Sequence, residues 1–485
     1  MGEGLTRAQV VAGAGRLAAG AALLGPAALL ERAGDALAAG DGGVRHFASR
    51  PDLRPPTLTV LRHGETAAGE LFLAPSSGPG QRGVMIADSH GELVWFHPTT
   101  PRTAMNFRAA TYRGKPVLTW WEGKATSGLG TGTHVIVDDT YRVVARVPAG
   151  GGRQSDLHEF LITPHDTALL TSYEVRPADL SAVGGPSAGL AIGGIVQEVA
   201  LPSGRVLFEW RSLDHVDVAE THAAWQGHPL DYFHVNSIDL TDDGNLLVSA
   251  RNTWAVYKIE RSTGRVLWRL GGKRSDFAMG PGTVFAWQHD ARHFPNGRIT
   301  IFDDGAMPQV EPQSRVLVIQ LDGVRRTARL VRKLVHRPGR IVSRYMGNAQ
   351  LLPNGSVVVG WGSEPFLTEF GPDGTIRLDA RLPPGGQTYR VLRFPWHARP
   401  HLPPAAVYRW RRGKGHVHAS WNGATDVAAW QLESGPSRAA LGGGPSVPRR
   451  TFETALAVPF GHKWARAVAL DESGQVLGRS PFVRV

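Results

Sequence analysis

Three observations predict an all-β chain. Short apolar runs recur along most of its length, each bounded by Gly, Asp, Asn or Ser/Thr turn residues. They come in sets of four with hairpin signals between them, which is the antiparallel meander that builds a propeller blade. The turn glycines return at one phase: Gly244, Gly297 and Gly355 lie 53 and 58 residues apart. Six such units fit between about residues 68 and 383. The expected fold is therefore a six-bladed β-propeller, followed by a C-terminal Ig/fibronectin-like β-sandwich.

The clearest unit spans Tyr232 to Phe277. Its apolar runs are His234–Leu240, Leu246–Ala250, Ala255–Ile259 and Val266–Leu270. Asp242-Asp243-Gly244-Asn245 and Ser262-Thr263-Gly264-Arg265 separate them as hairpin turns. Earlier units contain Gly83–Ala87 with Glu92–His97, Pro116–Trp121 with His134–Val137, and Ala168–Tyr173 with Ile195–Ala200. Later ones contain Arg298–Asp303 with Arg315–Leu321, and Ser356–Trp361 with Ile376–Leu382. The stretch Arg176–Gly194 is rich in Gly, Ala and Ser and reads as a flexible loop, while Asp214–Asp231, with His215, His222 and His228, reads as a functional lid.

The chain divides into four parts. Residues 1–40 place Arg7 and Arg16 before a short apolar run and an Ala-Leu-Ala, the pattern of a secretory signal or a membrane anchor. The apolar run is too short to span a bilayer as a helix. Secretion or display at the cell surface is expected, with membrane association through this segment. Residues 41–67 are a Pro-rich extension with a strand at Thr57–Leu61. The propeller is expected over 68–384. Residues 385–485 open with a Pro-rich connection and continue as the sandwich.

Composition narrows the function. The chain has 485 residues and a formal net charge of +11, carried almost wholly by arginine. No basic helix, run of like charges or basic–aromatic RNA motif accompanies that charge, so nucleic acid is not an expected partner. Arginine forks suit sulfate, phosphate or carboxylate instead. There is no cysteine, which excludes disulfides, zinc–thiolate sites and thiol nucleophiles. No phosphate-binding loop, dinucleotide fingerprint or zinc-protease motif is present, so neither a cofactor nor a metal is expected. Oligomeric state is not legible.

The candidate site residues follow from repeat phase. His234 and His289 open the inner strands of successive units, so both are expected at the same end of the channel, with Asn236 and Asp290 beside them to orient the rings. Arg251 ends one strand and Arg315 begins another; a buried arginine there needs an anion. His158, next to Glu159, can join the channel from an earlier unit, and Trp121 either packs in the core or stacks on an aromatic substrate. Asp303 and Asp304 read as a turn rather than as an acid or metal ligand.

The runs HVNSIDL, DGNLLVSAR, VYKIERSTGRVLWRLGGKRSDF, QHDARHFPNGRITIFDDG, SRVLVIQLD and LLPNGSVVVGWG together resemble the arylsulfotransferase family, in its actinobacterial and fungal branch. The resemblance covers about residues 80–380, and SWNGATDVAAW is similar to that branch's C-terminal sandwich. It implies transfer of a sulfuryl group from a phenolic sulfate to a phenol without a nucleotide donor. It also implies a histidine nucleophile, with two further histidines and an arginine holding the sulfuryl oxygens. His234, His289 and Arg315 match that pattern and are the expected catalytic residues. Asn236, Arg251, Asp290, His158 and Trp121 are the expected substrate-binding set. The family's nucleophile is expected in the last unit, yet no histidine lies between His336 and His397. Either His234 or His289 then attacks, or the donor reacts directly with the acceptor. The alternatives are a propeller that binds a small ligand or runs different acid–base chemistry, and a non-catalytic interaction protein of the cell surface.

Overall fold

A computed structural model describes residues 42–485. The signal-like segment at 1–40 lies outside the described residues. Among those described, no helix is long and apolar enough to cross a membrane. The described residues are all-β, with three single turns of 3-10 helix among them.

Among the described residues six sheets follow one another, each with a run of four antiparallel strands, and three of them carry a fifth strand: Thr59–His63 pairs antiparallel, while Leu230–Asp231 and Ala278–Met279 pair in parallel. Their inner strands are β1 (Thr103–Tyr112), β2 (Phe160–Ile162), β3 (Val235–Leu240), β4 (His289–Phe294), β5 (Asn348–Leu351) and β6 (Gln387–Phe394). Each of β1 to β5 leads its own sheet outward through three further strands. β6 instead pairs with Glu70–Ser77, so the sheet of Glu70–Ser77, Gly83–Ala87 and Leu93–Pro98 takes its inner strand from the far end of the chain. β6 contacts β1, β1 contacts β2, β3 contacts β4, β4 contacts β5, and β5 contacts β6. The second sheet after the mixed one reaches β3 through its next strand, Thr167–Ala178.

The turn chemistry is as the sequence requires. Gly244 sits at φ +76°, and Asp243 accepts from Thr241 Oγ1 and the Asn245 N–H, which closes the hairpin. Apolar faces of neighbouring sheets fill the gaps between them. Leu247, Val256 and Leu270 pack on Ile299, Ile301 and Leu317, for example.

After residue 400 two sheets share one apolar core of Val417, Trp421, Trp430, Leu456 and Ala467. One contains Ala405–Arg411, Lys414–Ser420 and Glu453–Ala457. The other is built on Ala429–Ser437 and Trp464–Leu470. Phe47 of the N-terminal extension packs on Phe452 with ring centroids 4.3 Å apart and planes tilted, and Asn422 exchanges hydrogen bonds with the Phe96 backbone, which fixes this part to the meanders.

Three expectations need correction. The stretch from 385, read as a Pro-rich connection, contains β6; prolines on both sides masked a strand whose charged side chains point inward. Arg176–Gly194 is not one loop. Thr167–Ala178 and Gly189–Ala200 pair residue for residue from Thr167↔Ala200 to Ala178↔Gly189, because pairing overrides the low strand propensity of Gly and Ala. The early strand is Thr59–His63 and joins the outer edge of the last sheet, and β1 is a strand the sequence reading missed.

All six inner strands meet in one buried ionic cluster. Glu159, with no exposed surface, accepts from Arg292 at 2.6 Å and from Arg390 at 3.0 and 3.2 Å, with Arg108 at 3.7 Å. Asp290 takes Arg292 at 2.6 Å, Arg390 at 3.1 Å and the Ala349 N–H. Arg390 also donates to Asn106 Oδ1 and the Asn236 carbonyl. Burial alone would raise the Glu159 carboxyl, but Arg292, Arg390 and Arg108 outweigh it and hold it well below the usual range.

Two outcomes follow. Glu159→Gln leaves three buried guanidinium groups short of a counter-charge and should cost about 3–5 kcal/mol in urea unfolding. A loss under about 1 kcal/mol would show that the cluster is not what holds the inner strands. His134 is the second case: both ring nitrogens are buried without a hydrogen bond among the described residues, and the ring stacks on Phe160. Burial lowers it to about 3. The unfolded chain therefore takes up a proton near pH 6.5 that the folded state refuses until about pH 3. Stability should fall as pH drops through that window, by about 1.4 kcal/mol per pH unit per proton. His134→Phe should flatten the acid limb of stability against pH by about one proton.

Candidate functional site

One cavity of about 530 Å³ collects three histidines and an arginine. Its walls include His158, His234, His289, Arg251, Met105, Leu157, Tyr345 and Met346. Local backbone geometry puts them there. β3 and β4 each carry a bulge in their first residues, with His234 at φ +54° and Asp290 at φ +55°, and β1 does the same with Asn106 at φ +54°. A bulge re-aims the side chains at the start of a strand; Asn106 and Asp290 are held against their strain by the arginines of the ionic cluster, and His234 by Asp231.

Each histidine holds a different aspartate through Nδ1. His158 Nδ1 lies 2.5 Å from Asp156 Oδ2, His234 Nδ1 lies 2.5 Å from Asp231 Oδ2, and His289 Nδ1 lies 2.8 Å from Asp304 Oδ2. A carboxylate on Nδ1 fixes the tautomer and turns Nε2 toward the opposite side of the ring. Nε2 of His158 and of His234 takes no hydrogen bond among the described residues. Nε2 of His289 accepts the Met346 N–H at 3.3 Å. The His158 and His234 rings meet edge-on with centroids 4.9 Å apart, and Tyr389 packs against His158 and His289.

The carboxylates are themselves held. Asp156 accepts the backbone N–H of Gly130 and His158 and the hydroxyl of Thr171. Burial pushes its carboxyl up, yet the His158 ring and these donors outweigh burial and keep it low. Burial lowers His158, against the pull of Asp156, and lowers His289 well below the ordinary range, aided by the Arg251 charge. Both rings are neutral near pH 7.

Arg251 supplies the positive charge. Its guanidinium lies 4.8 Å over the Trp287 ring, and Nη1 and Nη2 donate to Asn252 Oδ1 and the Arg344 carbonyl. Its buried Nε finds no partner among the described residues. The hairpin of Lys115–Thr126 and Leu129–Asp138 reaches over the histidines: a Cβ added at Gly128, at φ +84°, would stand 3.2 Å from His234 Cε1.

The structure brings His158, His234, His289 and Arg251 together and leaves other predicted residues outside. Arg315 does not line the cavity; it donates to Asp303 at 2.7 Å, Glu311 at 2.8 Å and the Val284 carbonyl. Asn236 donates to the Gln288 carbonyl and Asp290 holds Arg292 and Arg390, so neither orients a ring as expected. Trp121 donates to the Ser155 carbonyl and packs beneath the cavity with Met105, Leu157 and Tyr389. Asp304, read as a turn residue, is the partner of His289. The sequence did carry a signal for two of the missed aspartates, since Asp156 and Asp231 precede their histidines by two and three residues. Asp304 is brought in only by the pairing of β4 with Arg298–Asp303. Among the described residues no three His, Asp or Glu side chains gather as a metal site.

Nitrogen-15 spectra of the histidine rings test this arrangement. At about pH 6 the His289 ring should be neutral with its proton on Nδ1. A charged ring, or a proton on Nε2, would contradict the Met346 and Asp304 contacts.

A model of the arylsulfotransferase (ASST) family matches residues 108–382. No curated protein matches the chain. Among solved structures, a protein of unknown function from Bacteroides caccae is 14% identical with a TM-score of 0.42, over 67% of this chain and 98% of that one. A streptogramin B lyase is 10% identical with a TM-score of 0.36, over 74% and 94%. A catalytically inactive virginiamycin B lyase from Staphylococcus aureus with quinupristin is 8% identical with a TM-score of 0.34, over 75% and 96%.

Proposed function

The chain belongs to the arylsulfotransferase family, and from that premise we propose that it moves a sulfuryl group from a phenolic sulfate ester to a phenol without a nucleotide donor. The observation that carries this reading is the convergence of Arg251 and three aspartate-held histidines on one cavity. A sulfuryl group in flight spreads negative charge over its oxygens, and a fixed guanidinium placed beforehand stabilises it. Met105, Leu157, Met346 and Tyr345 give an aryl ring apolar and aromatic walls. The six meanders are read as the blades of a six-bladed propeller closed by β6, with the two C-terminal sheets as an accessory sandwich. Residues 1–40 are read as an export signal that sends the protein out of the cell.

A second reading keeps the scaffold and drops the transfer. It is favoured by the last sheet, where the family's nucleophile is expected and no histidine occurs between His336 and His397. On that reading the cavity holds a small anionic aromatic ligand.

Purified protein given an aryl sulfate and a phenol acceptor should release the donor phenol and form the acceptor sulfate. Arg251→Ala should lower kcat/KM by about 10²- to 10³-fold, the usual cost of one preorganised charge-stabilising group. Arg315→Ala should lower the melting temperature and cost far less of kcat/KM. A larger loss from Arg315→Ala than from Arg251→Ala would move the anion site. Absence of turnover across a broad donor panel, with an aryl sulfate still bound, would favour the ligand-binding reading.

A further inference from the structure

Resting on the sulfuryl-transfer reading, we infer that His158 is the residue that takes the sulfuryl group, with His234 carrying protons to and from the phenols. A nucleophilic imidazole must be neutral, must keep its proton on the nitrogen away from the substrate, and must offer a free lone pair to the cavity. His289 fails the last condition, because Nε2 is already taken by the Met346 N–H. His158 meets all three. Asp156 holds its Nδ1 proton, burial keeps the ring neutral, and Nε2 is unpartnered among the described residues at the wall of the cavity. Its support is also the stiffest of the three. Asp156 is tied to the Gly130 N–H, the His158 N–H and Thr171, and both His158 and Asp156 are almost wholly buried.

His234 is placed for the other task. Its ring lies 4.9 Å from that of His158, so one bound ester reaches both. It is the most exposed of the three rings, and Asp231 Oδ1 is left without a partner among the described residues. That suits a group that gains and loses a proton during turnover.

The chemistry balances without a further reactant. In the first half, the Nε2 lone pair of His158 attacks sulfur and the bond from sulfur to the aryl oxygen breaks. The electron pair leaves on the phenolate, which takes the Nε2 proton of His234 in its imidazolium form. His158 then carries Nε2–SO3⁻ while its Nδ1–H stays on Asp156. In the second half, the acceptor phenol gives its proton to His234, its oxygen attacks sulfur, and the N–S bond breaks to return the pair to His158.

The test begins with wild-type protein and an aryl sulfate of good leaving group, without acceptor, quenched at alkaline pH. Peptide mapping should find one added SO3 group on the fragment that contains His158. Finding it on His234 or His289 overturns the assignment. His158→Gly should lose the label and about 10⁴-fold or more of kcat, with imidazole restoring part of the phenol release. His234→Ala should still label from that donor, since a stable phenolate needs no proton, and should lose about 10²- to 10⁴-fold with an unactivated phenyl sulfate. Transfer that continues in His158→Gly without imidazole overturns the assignment and leaves the sulfuryl-transfer reading standing. Absence of phenol release from any donor by the wild type overturns that reading and this one with it.

Discussion

The salt-bridge cluster around Glu159 is the constraint on which the rest of the structure depends. Burying two carboxylates and several guanidinium groups is costly unless each finds a counter-charge and its hydrogen bonds. Here the partners come from every inner strand: Asn106 and Arg108 from β1, Glu159 beside β2, Asn236 from β3, Asp290 and Arg292 from β4, Ala349 from β5, and Arg390 from β6. No subset of the sheets satisfies the cluster alone. The sheets must therefore bring their inner strands to one place, and the chain must return at residues 387–394 to supply Arg390.

The cavity lies against that cluster and inherits its rigidity. Arg390 donates to the Asn236 carbonyl, as does the Tyr389 hydroxyl, and the neighbouring Tyr389 ring packs on His158 and His289. Asp290 anchors to two arginines, so the bulge that begins with His289 cannot relax. The three His–Asp pairs then act as independent fixed units. Each aspartate sits behind its ring, and the opposite side of the His158 and His234 rings is left to the cavity. This explains how one site can hold three imidazoles in different working states: His289 is capped by a backbone N–H, His158 is buried and neutral, and His234 is more open to solvent.

The choice between Arg251 and Arg315 shows how far sequence position is from function. Both are single arginines at the end of a strand in adjacent sheets. Arg315 finds Asp303 and Glu311 within its own sheet and neighbouring loop, so its charge is spent internally. Among the described residues Arg251 donates only to neutral oxygens and its buried Nε has no partner, so no salt bridge takes up its charge.

Much of this protein was legible in its sequence because local signals are strong in β-meanders. Strands such as Leu246–Ala250, Ala255–Ile259 and Gly83–Ala87 fall where the alternation of apolar runs and Gly-containing turns puts them. His234 and His289 share a cavity because equal repeat phase puts them at the same end of neighbouring strands. What needed the tertiary structure is everything set by contacts between distant segments. β6 hides between prolines and is identified only by its pairing with Glu70–Ser77 across the whole chain. Asp304 becomes the partner of His289 only when the β4 hairpin closes, and Arg390 meets Glu159 only when the last strand returns to the first sheet. The sequence determines strands and turns through short-range pattern and backbone preference. The counter-charges are decided by folding, because a buried ion's partner is whatever the closed structure brings within reach.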